Sequence, residues 1–216
     1  MKTLLSILIP ITPDRKEVVK KLLNVISKSE TLYRMDVFND GSDLVFTRYW
    51  SLLSHIEIIL ATDNREMTLG EKRERLYKVA NGLYSWQIDS DDLISEDAIR
   101  LILNAIEKEP DCITFQEHCE MNGKYFTSNH SLKYEDWADN FDGFDFTRTP
   151  FYKDVIRTSI ARAVPFERIR YGEDIAWSRA LKQYLSNEVH IDKELYYYIH
   201  NSKPEDFNIR YGIENG

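Results

Sequence analysis

The 216-residue chain carries 28 Lys and Arg against 36 Asp and Glu, a formal net charge of −8, with 43% hydrophobic and 30% charged residues. That length suffices for one well-buried α/β domain, and without repeats or low-complexity runs the composition excludes a solenoid and a disordered chain. The acidic balance argues against nucleic acid as the main partner, because displacing counterions from phosphates calls for a basic surface.

Residues 4–9 form a short apolar run closed by Pro10, the pattern of a strand buried on both faces of a parallel sheet. The run is broken early and lacks a small-residue cleavage site, so it reads as a strand and not as a secretory signal. No later stretch approaches the ~18 apolar residues of a membrane span. A soluble, cytoplasmic chain is the expectation. Asp14 can cap a following helix, in which Val18, Val19, Leu22 and Ile26 recur at helical spacing. Residues 55–60 read as a second buried strand ending at Asp63-Asn64, residues 70–80 as a charged helix, and residues 84–88 as a third strand running into Asp89-Ser90-Asp91-Asp92.

Ser95 can cap the next helix, with Ile99, Ile102 and Ile106 on one face. Residues 112–115 read as a fourth strand, after which the rhythm changes. Asn122-Gly123 is a hairpin signal. Residues 133–150 show no clear period, a helix is expected near Asp174 with Trp177 and Leu181 on one face, and residues 189–191 and 195–199 look like two closing strands. Cys112 and Cys119 make neither a disulfide scaffold nor a four-ligand zinc site and are expected to be reduced and structural. The whole reads as a single domain, 1–216, with a nucleotide-binding β/α half over 1–116 and a mixed acceptor half over 117–216.

Ligands of a doubly wound sheet bind beyond the carboxyl ends of its strands, where residues 10–15, Asp63 and residues 89–92 fall. Three carboxylates at one strand end repel one another unless a cation neutralises them, and a hard divalent ion bridging two phosphates is the simplest such cation. The alternative is a solvated turn leading into a helix cap.

Several segments resemble the motifs of family-2 glycosyltransferases. Residues 80–92, Ala-Asn-Gly-Leu-Tyr-Ser-Trp-Gln-Ile-Asp-Ser-Asp-Asp, are similar to that family's A-x-G-x-Y-x-x-x-x-D-x-D-D segment. Residues 5–10 resemble its opening strand, Gly70-Glu71-Lys72-Arg73 its G-E-K-R variant, and Tyr171-Gly172-Glu173-Asp174 its later G-E-D motif, in the same order. The resemblance implies a GT-A-like α/β fold, a Rossmann-like sandwich with a mostly parallel central sheet and a mixed C-terminal half. It implies a nucleoside-diphosphate-sugar donor and Mn²⁺ or Mg²⁺. Asp89 would sit near the ribose and metal, Asp91 would ligate the metal, and His200 would complete its shell or contact the diphosphate. Arg73 would face the nucleotide or diphosphate, unless it makes a helix-surface ion pair with Glu71. Pro10, Thr12, Arg15 and Ser90 would line the donor site. Asp174 would be the general base of an inverting displacement, taking the proton of an acceptor hydroxyl, and Glu173 would orient the acceptor or the loop.

The acidic residue that reads the nucleobase has two candidates. Asn39-Asp40-Gly41-Ser42-Asp43 looks like the family's D-D-G-S turn, but residues 33–36 make a poor buried strand. Asp63, after the better strand, is preferred, which leaves Asp40 in a turn of an inserted segment over residues 30–54. A nucleotidyltransferase is the rival enzyme, disfavoured because residues 11–15 contain no glycine. A silent binding module is the non-enzyme rival, disfavoured because pure binding needs no base. The acceptor is left open among a glycan, a lipid-linked group, a protein and a nucleobase.

Overall fold

A computed structural model describes residues 3–12, 15, 17–51, 55–64, 67–168 and 172–200, the side chains of Arg34 and Met35 apart. The elements are β1 (Leu5–Ile11), α1 (Val19–Ser29), β2 (Tyr33–Phe38), β3 (Val45–Ser51), β4 (Ile56–Thr62), α2 (Leu69–Val79), β5 (Tyr84–Gln87) and β6 (Leu93–Ile94). They continue with α3 (Ala98–Ile106), β7 (Cys112–Met121), β8 (Lys124–His130), β9 (Ala138–Phe141), β10 (Phe144–Arg148), β11 (Val155–Arg157), α4 (Thr158–Ala163), α5 (Glu173–Lys182) and β12 (Glu188–His200).

The strands form one sheet in the order β2-β3-β4-β1-β5-β11-β7-β8-β10-β9. β1 lies at its heart, parallel to β4 on one side and β5 on the other. This explains the unbroken apolar run: with neighbours on both edges and helices on both faces, neither side of β1 meets water. Leu5, Ile7, Ile9 and Ile11 pack on one face with Leu22 and Ile26 of α1 and Ile99 and Ile102 of α3. Leu8 points to the other, among Leu76 and Tyr77 of α2 and Trp177 and Leu181 of α5. The result is an α/β/α sandwich.

β7 joins the two halves. It pairs with β11 at Cys112 and Ile113 and with β8 from Gln116 onward, while β12 runs parallel to it from Glu188 to His200. The two closing strands expected from the sequence are one. The polar stretch between Ile191 and Tyr196 is accommodated by two register shifts, and such bulges bend a strand without ending its ladder. The inserted segment is a hairpin. β3 adds antiparallel to β4 and β2 forms the sheet edge, where Tyr33 and Val37 are exposed; edge strands lack the buried pattern the sequence reading looked for. The period-free stretch contains a second hairpin, β9–β10, and β10 lies parallel to β8. Helix α1 starts at Val19, leaving Val18 outside it and exposed; Asp14 lies outside the described residues. Helix α3 begins after Asp97, not Ser95: Ser95 lies two residues before that cap position and its hydroxyl donates to the Asp97 carboxylate at 3.0 Å, with no side-chain bond to the helix start. Both cysteines are buried and free. No helix among the described residues is long and apolar enough to cross a membrane.

Candidate functional site

β1 and β5 end side by side, and the chain beyond β5 stays on β1 through the bond from Ile88 N–H to the Leu8 carbonyl, 3.0 Å. It then turns, Asp92 N–H reaching the Asp89 carbonyl at 3.1 Å. The turn carries Asp89, Ser90, Asp91 and Asp92 into the wall of a cavity of about 580 Å³. Pro10, Thr12 and Arg15, from the end of β1, line the same cavity, as do Arg73, Glu173, Asp174, Tyr198 and His200. With Tyr152, which also lines the cavity, the structure gathers residues from six sequence segments at the carboxyl ends of the central strands, the place such folds hold their ligands.

The three carboxylates of the turn each face a cation of the protein itself. Asp89 accepts from Arg73 Nη2 and from the Tyr152 hydroxyl, both at 2.8 Å. Burial opposes its ionisation, but the charges of Arg73 and Lys153 and the hydrogen bonds from Tyr152 and Arg73 together outweigh this and hold the carboxyl below its ordinary range. Asp91 accepts from Arg15 Nη1 at 2.5 Å in a half-open ion pair; burial nonetheless raises its carboxyl. Asp92 accepts from the Tyr196 hydroxyl at 2.7 Å and lies 3.8 Å from Lys153 Nζ. Burial, helped by the neighbouring Asp89 and Asp91, pushes Asp92 up to about 7 against the pull of Lys153. The repulsion that the sequence reading assigned to a metal is thus offset largely from within.

Arg73 does not pair with Glu71 on the helix surface. Glu71 instead closes a capping box with Thr68 at the start of α2, and Arg73, 1% exposed, reaches Asp89 and, at 3.3 Å, Gln87. Its guanidinium lies 3.4 Å from the centre of the Tyr152 ring. Gly70 has a steric reason: a Cβ there would stand 2.8 Å from the Glu167 carbonyl and 3.6 Å from Glu173 Cβ. A side chain at Gly70 would push α2 off the segment that leads into α5.

Helix α5 opens at Gly172, whose φ of 82° is left-handed and favours glycine. That bend turns the first helical residues, Glu173 and Asp174, into the cavity, where the positive end of the helix favours carboxylates. Glu173 is buried, and burial raises its carboxyl despite Arg73 nearby. Tyr171 lies outside the described residues. His200 stacks on Tyr198, ring centroids 5.9 Å apart.

Asp63 stands directly after β4, at the strand end where it was expected. Its carboxylate is fully covered, ion-paired with Lys72 and accepting from Met67 N–H at 3.1 Å; Lys72 lines the cavity and Asp63 does not. Asp40 sits in the β2–β3 turn, bonded to Ser42 and, at 2.9 Å, to Arg75. Sequence reasoning missed Lys72, Tyr152, Lys153 and Tyr196. Only Lys72 lay within a recognised motif; Tyr152 and Lys153 follow just after the segment without period.

Among the described residues no three His, Cys, Asp or Glu side chains cluster closely enough to hold a metal alone. Each Asp89 oxygen already accepts one hydrogen bond and keeps a second lone pair. Asp91, with its side chain 35% exposed at the cavity wall, suits an ion of the Mg²⁺ or Mn²⁺ kind, which commonly takes one or two carboxylates and completes its shell with phosphate oxygens and water.

No protein-family model and no curated protein matches the chain. Solved structures do. TarS 1–349 of S. aureus superposes with a TM-score of 0.61 at 18% identity, covering 97% of this chain and 63% of that one. The same protein in complex with UDP-GlcNAc gives 0.63 at 15% identity over 96% and 61%, and in complex with UDP 0.62 at 17% over 97% and 63%. The chain spans under two thirds of the length of these structures. The shared architecture, extending over nearly the whole chain, shows that this protein has the GT-A-like, Rossmann-like fold of nucleotide-sugar transferases that its resemblance to family-2 glycosyltransferases implied.

Proposed function

We propose that the protein is an inverting glycosyltransferase that uses a nucleoside-diphosphate sugar. The observation that carries this reading is the meeting, in one cavity of about 580 Å³, of a polar wall bearing Arg15, Lys72 and Asp91 with the carboxylates of Glu173 and Asp174. Arg15 and Lys72 bring positive charge to that wall, and structures of the same fold hold UDP and UDP-GlcNAc.

In this reading Arg73 and Tyr152 fix Asp89 where it meets the ribose side of the donor. Arg15 exchanges its bond to Asp91 for one to a phosphate oxygen. Asp91 would hold Mn²⁺ or Mg²⁺ beside the donor, and the ion would supply positive charge to the leaving diphosphate. Asp174 accepts the proton of the acceptor hydroxyl as its oxygen attacks the anomeric carbon from the face opposite the diphosphate. Glu173, tied toward Arg73 at 3.9 Å, keeps the helix start in place. One displacement inverts the anomeric centre.

The test is thermal unfolding with UDP, other nucleoside diphosphates and their sugars, with and without Mn²⁺. Binding to the folded state alone stabilises by about 2.7 kcal/mol at a hundredfold excess over the dissociation constant. The Mn²⁺-dependent part of the shift is expected to vanish in Asp91→Asn. No shift with any nucleoside diphosphate would reject the reading.

A further inference from the structure

Lys153 is a buried ammonium that the proposed chemistry does not use. It is 5% exposed, just before β11, and its carbonyl accepts from the Trp86 indole at 2.6 Å, which ties it to β5. Nζ donates to Glu117 Oε1 at 2.6 Å and stands 3.8 Å from Asp92 Oδ2. It also lies 3.9 Å from the centre of the Tyr198 ring and 4.8 Å from that of Tyr196. Tyr198 and Asp92 line the donor cavity, and Tyr196 donates to Asp92. Behind Glu117 stands His130, 3.3 Å away, whose other ring nitrogen meets Asp154 at 3.1 Å.

A buried ammonium is costly unless paired, and Glu117 alone would answer that need. Lys153 is instead held between Glu117 and the cavity's own wall. It touches that wall at two points, the Asp92 carboxylate and the Tyr198 ring. Seen from the cavity, Asp89, Asp91 and Asp92 are backed by Arg73, Arg15 and Lys153 in turn. Without the third cation, a diphosphate would approach a wall whose negative charge is only partly offset, and the Coulomb cost falls slowly with distance in a low-dielectric interior.

We propose that Lys153 is a positioning residue for the donor: an internal cation that holds Asp92 and the Tyr198 wall and supplies part of the positive potential a nucleoside diphosphate meets. This rests on the glycosyltransferase reading and deepens it. Lys153 does not line the cavity, so its effect falls on donor binding through its neighbours.

The test uses calorimetric binding of UDP with Mn²⁺. Lys153→Met alone would leave Glu117 with the shared His130 ring in place of its ammonium, so the informative variant is Lys153→Met with Glu117→Gln, which removes both buried charges together. It is expected to keep its near-ultraviolet spectrum and to bind UDP about tenfold more weakly. Glu117→Gln alone leaves the ammonium less offset and is expected to bind UDP about threefold more tightly, a change of sign that a merely structural pair would not give. A double variant within twofold of wild type overturns the proposal, as does a Glu117→Gln that weakens binding. Should the double variant not fold, Glu117→Gln decides by the same sign. Wild-type protein that binds neither UDP nor any other nucleoside diphosphate rejects the glycosyltransferase reading and this inference with it; binding by the wild type that the double variant matches rejects only the role of Lys153.

Discussion

Arg73 and Asp89 meet at 2.8 Å at the inner wall of the cavity, and the other Asp89 oxygen is held by Tyr152, the ring on which the same guanidinium lies. The three side chains form a closed set in which the cation, the anion and the ring each contact the other two. A planar guanidinium can donate to a carboxylate and stack at once; an ammonium cannot.

Arg73→Met would leave Asp89 as an uncompensated, mostly buried charge. Breaking a buried pair in this way costs about 3–5 kcal/mol, so the unfolding temperature should fall by roughly 10 °C for a chain of this size. Arg73→Lys should recover part of that loss, because charge returns without the stacking. A loss below about 1 kcal/mol in Arg73→Met, measured by denaturant titration, would show that Asp89 is neutral or well solvated.

Asp63 and Asp40 should separate cleanly. Asp63→Ala removes the buried partner that fixes where the Lys72 ammonium stands at the cavity wall, and the loss of that positioning should weaken UDP binding by about tenfold. Asp40→Ala removes only a turn contact and a partly exposed pair with Arg75, so binding should change by less than about twofold. Calorimetry on both variants checks this. The reverse order would place the nucleotide against the β2–β3 turn.

Asp174→Asn is nearly isosteric but a very poor proton acceptor. A group that acts only on the transition state raises turnover and leaves ground-state binding nearly alone. Sugar transfer should therefore drop by roughly 10²–10⁴-fold with donor affinity little changed. Wild-type product should carry the anomeric configuration opposite to the donor's. Wild-type turnover in the variant would reduce Asp174 to a helix-start acid; retained configuration by NMR would end the single-displacement mechanism.

His130 gives a pH signature. Its ring is fully buried between Asp154 and Glu117. Burial alone would lower its pKa, but the two carboxylates overcome this and raise it to about 9 from an ordinary 6.5. The stability it contributes is fully present below pH 6.5 and is lost as pH rises through about 9. Unfolding temperature should accordingly decline across that window, and His130→Gln should flatten the decline. Calorimetric scans at several pH values decide it, and an unchanged slope in the variant would mean the ring is neutral in the native protein.

The sequence by itself determined the central strands and the place of the acids. Apolar runs at residues 4–9, 55–60 and 84–88 can be satisfied only by burial on two faces, and the structure places β1, β4 and β5 there in parallel. Asp89, Asp91, Glu173 and Asp174 could be placed because strand ends and helix starts are local events, written in periods of two and 3.6 residues. Tertiary structure alone decided what those acids touch. Tyr152 reaches Asp89 across 63 positions and Tyr196 reaches Asp92 across 104, and no local period encodes such a distance. The same holds for Asp63, at the right strand end but turned onto Lys72, and for β2, whose edge position removes the need for a buried pattern. Which cation neutralises a carboxylate depends on how separate elements pack, and that packing supplied Arg73, Arg15 and Lys153 where the local pattern asked only for some positive charge.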